Sequence, residues 1–455
     1  MPASVLLAIA MSALVSGRAP AQTTPAQTVP AKTIEAETVP PETVLAQALL
    51  AQSPPAMAAP RPATPPVPAN LSPPPPACRN TGDFGRWLET FRAEALAKGI
   101  LPATVALALD GMTLDESIIR RDRGQSFFAQ SFLEFQARLA SANRITNARA
   151  MLKRQAPLFE RVEREFGVPG AVLTAFWALE SDFGAGIGRL PVLRSLATLA
   201  YDCRRGEMFR GELHAALRII EKGDLKPSDM VGSWAGELGQ TQFLPTHYDR
   251  HALDYDGDGR RDLFRSIPDI VASSANYIRA SGWQRGEPWL EEVRLPERLP
   301  WEQAGLTIRL PRAQWANWGV TRADGEPLPA DDLPASLHLL MGRNGPAFLV
   351  YPNFDVYTEW NRSWNYATTA AYLATRIAGA PPLSPGRAPV EVLDAAAIRE
   401  MQQLLMRRGF GDVGIADGRL GIATRAAIRQ AQLRYGLPAD TYPSMELLER
   451  LRQVR

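Results

Sequence analysis

Apolar residues recur at helical spacing over most of the chain. The run FGRWLETFRAEALAKG places Phe84, Leu88, Phe91 and Ala95 on one stripe, the pattern of an amphipathic helix. Further helical patterns fall at 126–140, 143–165 and 170–182, then at 207–221, 267–281 and 362–378. From about 284 to 351 the texture changes. Prolines become frequent, short alternating runs such as LTIRL appear, and Asn344-Gly345 separates two β-prone runs in ASLHLLMGRNGPAFLVY. The pattern predicts a mainly α fold interrupted by a small β-rich insertion.

The ends of the chain have a different grain. GAPPLSPGRAP reads as a linker, placed at 380–391, and after it the tail 392–455 reads as a helix, an Asp-Gly turn, a second helix and a short third one. At the other end, residues 22–77 are rich in Pro, Ala, Thr and Gln. Such a segment buries too little apolar surface to offset its ordering entropy and is expected to be a disordered tether. Residues 1–21 contain an apolar run from Val5 to Val15 followed by Ala19, Pro20 and Ala21, the form of a secretory signal cut after Ala21, although no lysine or arginine precedes the run. The run is too short for a comfortable membrane span, so the mature chain is expected to be exported to the periplasm with no transmembrane segment.

At 455 residues the chain is expected to form more than one domain. Lys and Arg number 50 against 48 acids, a net charge of +2, which argues against a dedicated nucleic-acid binder. Four histidines and two cysteines leave little for a zinc or redox centre. His247 and His251 stand a helical turn apart but lack both the glutamate of a metalloprotease helix and a third ligand. In an exported chain Cys78 and Cys203 are the one available disulfide pair; two unlinked buried thiols are the alternative.

Glu180, in FWALESDFG, is a lone carboxylate among aromatic and aliphatic residues. Pro169 suits a helix start and Gly184 and Gly186 its end, which places Glu180 in or near the last turn. Apolar neighbours and the negative end of the helix dipole both favour a retained proton, which a general acid for glycosidic cleavage requires. A partly exposed helix-end glutamate is the plainer reading of this stretch. Glycosidases usually employ two carboxylates. Glu237, in GSWAGELGQTQF, is a distant candidate that nothing in its spacing singles out.

The order VPGAVLTAFWALESDFG, LATLAYDCRRGEMFRGEL, GSWAGELGQTQFLPTHY, DYDGDGRRDLF and SSANYIRASGW resembles the membrane-bound lytic murein transglycosylase B family, over roughly residues 78–379. The resemblance implies a lysozyme-like helical catalytic domain with Glu180 as its single catalytic acid. It implies an enzyme that cleaves the β-1,4 bond between N-acetylmuramic acid and N-acetylglucosamine in peptidoglycan without water, needs no cofactor for the chemistry, and leaves 1,6-anhydro-muramyl ends. Residue by residue it implies substrate-binding roles for Ser233, Gln242, Arg204, Arg205, Tyr277, Trp360, Asn361 and Tyr366, with Gly236 and Gly239 letting backbone approach the sugar.

DYDGDGRRDLF looks like the start of an EF-hand loop, with Asp254, Asp256 and Asp258 at positions 1, 3 and 5 and the Arg260 carbonyl at 7. Arg265 stands at position 12, where a glutamate should be; the family resemblance places the closing acid at Asp269. A structural calcium is the expectation, with a metal-free polar turn as the alternative. The tail, in DGRLGIATRAAIRQAQ and YGLPAD, resembles a three-helix peptidoglycan-binding module, with Ala431 where that family usually has an aromatic and Tyr442 where it often has glycine. Glycan strands of peptidoglycan are thus the expected partner. Two rival readings are a muramidase of the same fold using Glu237, and a non-catalytic wall-binding scaffold.

Overall fold

A computed structural model describes residue 80 and residues 82–124 and 131–453; the proposed signal, the tether and Cys78 lie outside the described residues. In chain order the helices begin with α1 (Phe84–Ala97), α2 (Pro102–Leu109), α3 (Glu116–Arg123), α4 (Phe132–Leu139), α5 (Ala142–Arg154), α6 (Ala156–Phe166) and α7 (Gly170–Ser181). Strand β1 (Leu190–Pro191), α8 (Val192–Tyr201), α9 (Gly206–Glu221), β2 (Val231–Gly232), α10 (Pro245–His251) and α11 (Ile267–Ala280) follow. Then come β3 (Leu290–Arg294), β4 (Leu310–Pro311), α12 (Arg312–Asn317), β5 (Thr321–Arg322), β6 (Pro334–His338) and β7 (Ala347–Val350). The chain closes with α13 (Asn353–Trp360), α14 (Trp364–Ile377), α15 (Ala395–Arg407), α16 (Ile422–Arg434) and α17 (Met445–Gln453). No described helix is long and apolar enough to cross a membrane.

The chain divides into two compact units. Of the described residues, one takes those up to Gly124 with Glu180–Arg250 and Asp256–Ser266; the other takes 131–179, His251–Tyr255 and those from Ile267 onward. In the first unit, α8 and α9 pack side by side and α1, α2 and α3 cover them. The stripe Phe209, Leu213, Ala216, Leu217 and Ile220 of α9 is buried, each large side chain contributing about 1.5–3 kcal/mol. Glu94 ties α1 to α9: Arg210 Nε donates to it at 2.6 Å, His214 Nε2 lies 2.9 Å from it, and Lys98 Nζ adds a bond of 2.6 Å.

In the second unit, α14 is central, packed by α4, α5, α13 and β3. Its alanines and threonines bring these neighbours close. The expected β-rich insertion forms an antiparallel sheet of order β4-β6-β7-β3-β5, with Leu290 opposite Val350 and His338 opposite Phe348. Strand β7, AFLV, is buried on both faces. Asn344-Gly345 lies in the connection 339–346 between antiparallel neighbours β6 and β7, a longer loop than a two-residue hairpin.

The expected helix over 143–165 is two helices. Gln155, at φ −110° and ψ 24°, breaks it, and Pro157 lies in the first turn of α6, where a missing N–H costs nothing. The tail forms three helices around Met401, Leu405, Phe410, Ile428 and Leu448, and Ala431 is wholly buried there. These helices are pinned to the rest of the second unit. Arg425 Nη2 donates to the Leu340 carbonyl at 2.8 Å, its guanidinium lies 5.6 Å from the Trp364 ring, and the Arg343 N–H donates to Asp440 at 3.0 Å.

Candidate active site

Helix α7, GAVLTAFWALES, is buried along its length, an apolar helix bearing one carboxylate in its last turn. Glu180 is 4% exposed. The helix ends in left-handed backbone: Asp182 and Phe183 have φ of 51° and 61°, and Gly184 follows at 89°. A non-glycine residue held there costs on the order of 1 kcal/mol or more and persists where surrounding contacts impose it.

Those contacts come from the loop after β2. Ser181 Oγ donates to the Gln240 carbonyl at 2.5 Å and accepts the Gly184 N–H at 2.8 Å. A Cβ on Gly184 would lie 2.6 Å from the Gln240 amide, and one on Gly188 would lie 2.1 Å from the Gly232 carbonyl. Strands β1 and β2 continue the seam, with Leu190 opposite Gly232. The turn following Glu180 is therefore fastened to the loop GSWAGELGQTQFL on both sides of Glu237.

Within that loop every residue except Gln240 is buried. Ser233 Oγ accepts the N–H groups of Ala235 and Glu237, each at 3.2 Å. Gln242, in left-handed backbone at φ 51°, donates its amide to the Gly239 carbonyl at 2.8 Å and the Ile187 carbonyl at 3.3 Å. Trp234 Nε1, Glu237 Oε1 and Thr241 Oγ1 are buried and have no hydrogen-bond partner among the described residues. Buried polar atoms are almost always paired, so three such atoms in one loop mark it as built for polar company. Nothing in the sequence singles out Trp234 and Thr241, though both lie in the motif that carries Ser233 and Gln242. Burial, then the Glu180 charge, pushes the Glu237 carboxyl up to about 8, against a lowering hydrogen bond from Ser233. The two loop glycines have reasons of their own: a Cβ on Gly236 would lie 2.3 Å from Leu196, and one on Gly239 would lie 2.7 Å from the Leu263 carbonyl.

Arg204 and Arg205 converge on Asp122, which is 1% exposed. Arg204 Nη1 donates to its backbone carbonyl at 2.6 Å and its carboxylate at 2.8 Å, and Arg205 forms an ion pair with the other oxygen. Arg205 also lies over Phe209, and burial lowers its guanidinium to about 10. Arg204 is the more accessible of the two. Cys203 is disulfide-bonded and no described cysteine is free; Cys78, its expected partner, lies outside the described residues.

In the second unit, Tyr277, Trp360, Asn361 and Tyr366 are all buried. Trp360 stacks on Phe176 with centroids 4.2 Å apart and leans on Tyr277 at 5.2 Å, and Tyr277 in turn meets His251 at 5.0 Å. Trp360, to which the resemblance assigns a substrate-binding role, is thus part of a packed ring cluster. Asn361 Oδ1 accepts the Ser363 N–H at 2.9 Å, while Asn361 Nδ2 is buried with no partner among the described residues.

The acidic loop has the chemistry of a hard-cation site. In the second unit Asp254 and the fully buried Asp269 bring carboxylate oxygens within 4.8 Å of each other, and Asp269 accepts the Tyr255 N–H at 2.6 Å. In the first unit, Ser266 Oγ donates to Asp256 at 2.5 Å, and Asp258 accepts the Arg260 N–H at 2.9 Å. An all-oxygen set with one acid wholly buried fits calcium.

A family model described as transglycosylase SLT domain matches residues 83–375, and one described as putative peptidoglycan binding domain matches residues 394–451. The membrane-bound lytic murein transglycosylase B of Escherichia coli strain K12 is 28% identical over 249 residues, 54% of this chain and 68% of that protein. Among solved structures, SltB3 of Pseudomonas aeruginosa in complex with NAG-anhNAM-pentapeptide is 40% identical with a TM-score of 0.76, covering 82% of this chain and all of that one. Slt35 of Escherichia coli in complex with calcium is 26% identical with a TM-score of 0.56, covering 64% of this chain and 92% of that one. With its helical body, its Glu180 helix and a family match across most of the folded chain, the protein belongs to the SLT lytic transglycosylase family and has that family's lysozyme-like fold.

Proposed function

We propose that this protein cleaves the β-1,4 bond between N-acetylmuramic acid and N-acetylglucosamine in peptidoglycan and releases 1,6-anhydro-muramyl ends. The observation that carries the reading is Glu180: one buried acid, in the last turn of an apolar helix, held by strained backbone within a chain of this family.

Glu180 protonates the glycosidic oxygen as the bond to the anomeric carbon breaks. As carboxylate it then takes the proton of the muramyl C6 hydroxyl, whose oxygen closes on the anomeric carbon. One proton passes in and one returns, no water is consumed and no cofactor is needed. Ser233, Gln242, Arg204 and Arg205 in the first unit, and Tyr277, Trp360, Asn361 and Tyr366 in the second, bind the glycan and its peptide stem. The partnerless Asn361 amide is the strongest structural support for that set. Asp254, Asp256, Asp258, the Arg260 carbonyl and Asp269 would hold a calcium ion, which would stiffen the loop and take no part in the cleavage. The domains run as a signal at 1–21, a tether at 22–77, a catalytic domain at 78–379, a linker at 380–391 and a wall-binding domain at 392–455, and the enzyme works in the periplasm.

Glu237 is a poor candidate for the base of a hydrolase, because a base must be ionised at its working pH and burial holds this carboxyl protonated to about 8. The test is mass spectrometry of muropeptides released from purified wall by residues 78–455 and by Glu180→Gln. Anhydro ends from the unaltered protein, falling about 100-fold or more in the variant, are expected. Ends heavier by one water would make it a muramidase, and wall binding without either product a scaffold.

A further inference from the structure

Arg204 and Arg205 differ in what they can reach. Their side chains are 39% and 10% exposed, so Arg204 opens to solvent while Arg205 lies over the Phe209 ring at 5.2 Å. Between them stands Asp122, buried in the last turn of α3 among Arg120, Arg121 and Arg123. A carboxylate near a helix C-terminus faces the negative end of the dipole, and a buried one is costly unless paired. Neither α3 nor the core therefore accounts for an acid at this position. Its pairing does.

The Asp122 carboxylate divides its oxygens between the arginines. One accepts Arg204 Nη1 at 2.8 Å, and the other forms the ion pair with Arg205. Arg204 Nη1 also donates at 2.6 Å to the Asp122 carbonyl, which lies in the last turn of α3, where carbonyls lack helical partners. The Arg204 backbone is fixed as well: its N–H donates at 3.3 Å to Asp202, a second buried carboxylate, which accepts Asn80 Nδ2 at 3.0 Å. Neighbouring guanidiniums repel, and a carboxylate shared between them holds both in place. Two guanidiniums on one carboxylate leave the trio net positive, with Arg204 as its accessible member. Among the described residues Arg204 is bound through Nη1 alone, so the Nε and Nη2 edge is left to face an anion, and that edge matches the two oxygens of a carboxylate.

We propose that Asp122 is a positioning residue for recognition of the peptide stem: it turns the remaining edge of Arg204 towards a stem carboxylate and keeps Arg205 as a buried anchor. This inference rests on the reading that these arginines meet the glycan and its stem. It also narrows that reading, since Arg204 makes the contact and Arg205 holds Asp122. The test uses glycan strands with intact stems and the same strands stripped of their stems by an amidase, with kcat and KM measured for the unaltered protein, Asp122→Asn, Arg204→Lys and the double variant. Asparagine keeps the shape of Asp122 and removes its charge; lysine keeps the charge of Arg204 and removes its fork.

On stem-bearing strands Asp122→Asn is expected to raise KM about tenfold with kcat within about twofold, the effect of losing one charge-assisted hydrogen bond to the stem. On stripped strands its KM is expected to stay within about twofold. Equal changes on both substrates would make Asp122 a packing residue and overturn the proposal. Because Asp122 acts through Arg204, the double variant is expected to show about the rise of Arg204→Lys alone; a rise equal to the product of the two single effects overturns it. Should Asp122→Asn fail to fold, Asp122→Glu keeps the charge and displaces it by one methylene. A selective rise in KM of about threefold is then expected, and no selective rise overturns the proposal. Failure of the transglycosylase reading is seen separately, as hydrated products or none by mass spectrometry. In that event calorimetry with an N-acetylmuramyl peptide still decides, with binding about tenfold weaker in Asp122→Asn expected and unchanged binding overturning the assignment.

Discussion

At the scale of single residues, backbone sets the site as much as side chains do. Gly236 has a φ of 88° and its Cβ position is filled by Leu196, so Gly236→Ala combines an unfavourable conformation with an overlap inside a packed core. A loss of about 2–4 kcal/mol is expected, read by urea melts. Asn361 is the contrasting case. Its Oδ1 holds the start of α14 while Nδ2 is partnerless, so Asn361→Asp keeps the acceptor and removes the donor. If that donor meets the glycan, kcat/KM drops about tenfold with the melting temperature nearly unchanged. Equal losses of stability and rate would assign Asn361 to packing alone. Glu180 stood out in the sequence because a carboxylate in an apolar helix is unusual. Trp234 and Thr241 did not, because their significance lies in an absent partner, which only coordinates reveal.

At the scale of elements, long amphipathic stripes were the legible part. Helices α1, α9, α11 and α14 fall within a few residues of where their periodicity places them. Helices α2, α3, α8, α10 and α13 show no clear period in the sequence. They are short or, like PATVALAL, apolar on too many sides to show a period, and tertiary burial selects them. The Glu94 cluster joining α1 to α9 is not legible in the sequence either, since Arg210 and His214 lie more than a hundred residues from Glu94.

That cluster makes a pH prediction. The Arg210 hydrogen bond first, with Lys98 and His214, lowers the Glu94 carboxyl from 4.5 to about 2 despite opposing desolvation. Stability from Glu94 is therefore fully present above about pH 4.5 and is lost as pH falls towards 2. His214 is itself held below its usual value by burial, so Arg210 and Lys98 supply the positive charge. Allowing for partial exposure, Glu94→Gln is expected to cost about 1–2 kcal/mol at pH 7 and close to nothing near pH 2. Urea melts at the two pH values decide it, and a loss independent of pH would mean that packing, not ionisation, is what the substitution removes.

At the scale of the whole molecule, calcium and the tail offer separate tests. A cation on the acidic loop is expected to raise the melting temperature, and free calcium at a hundredfold its Kd corresponds to about 2.7 kcal/mol. Calorimetry with calcium and with chelator measures it, and Asp269→Asn is expected to erase the difference; identical melts would leave a metal-free turn. For the tail, Arg425→Ala removes the bond to Leu340 and the contact with Trp364. Faster hydrogen exchange across 395–453 and faster proteolysis at 380–391 are expected, with no change in either if the tail is held by other means.

The Arg425 anchorage also bears on how freely this architecture can be cut and recombined. A helix trio that merely hung from a proline-rich strap would be portable: it could be lifted off, or fused to another enzyme, without either side noticing. Here Arg425 is 5% exposed only because Trp364, Tyr442 and the Leu340 carbonyl surround it. Severing the chain after 391 would bare the indole face and an unpaired carbonyl on one fragment and strand a desolvated guanidinium's partner-seeking face on the other. A graft of these helices onto a foreign catalytic body should therefore carry the 339–346 loop and Trp364 with it, which makes the true unit of exchange larger than the sequence boundary suggests.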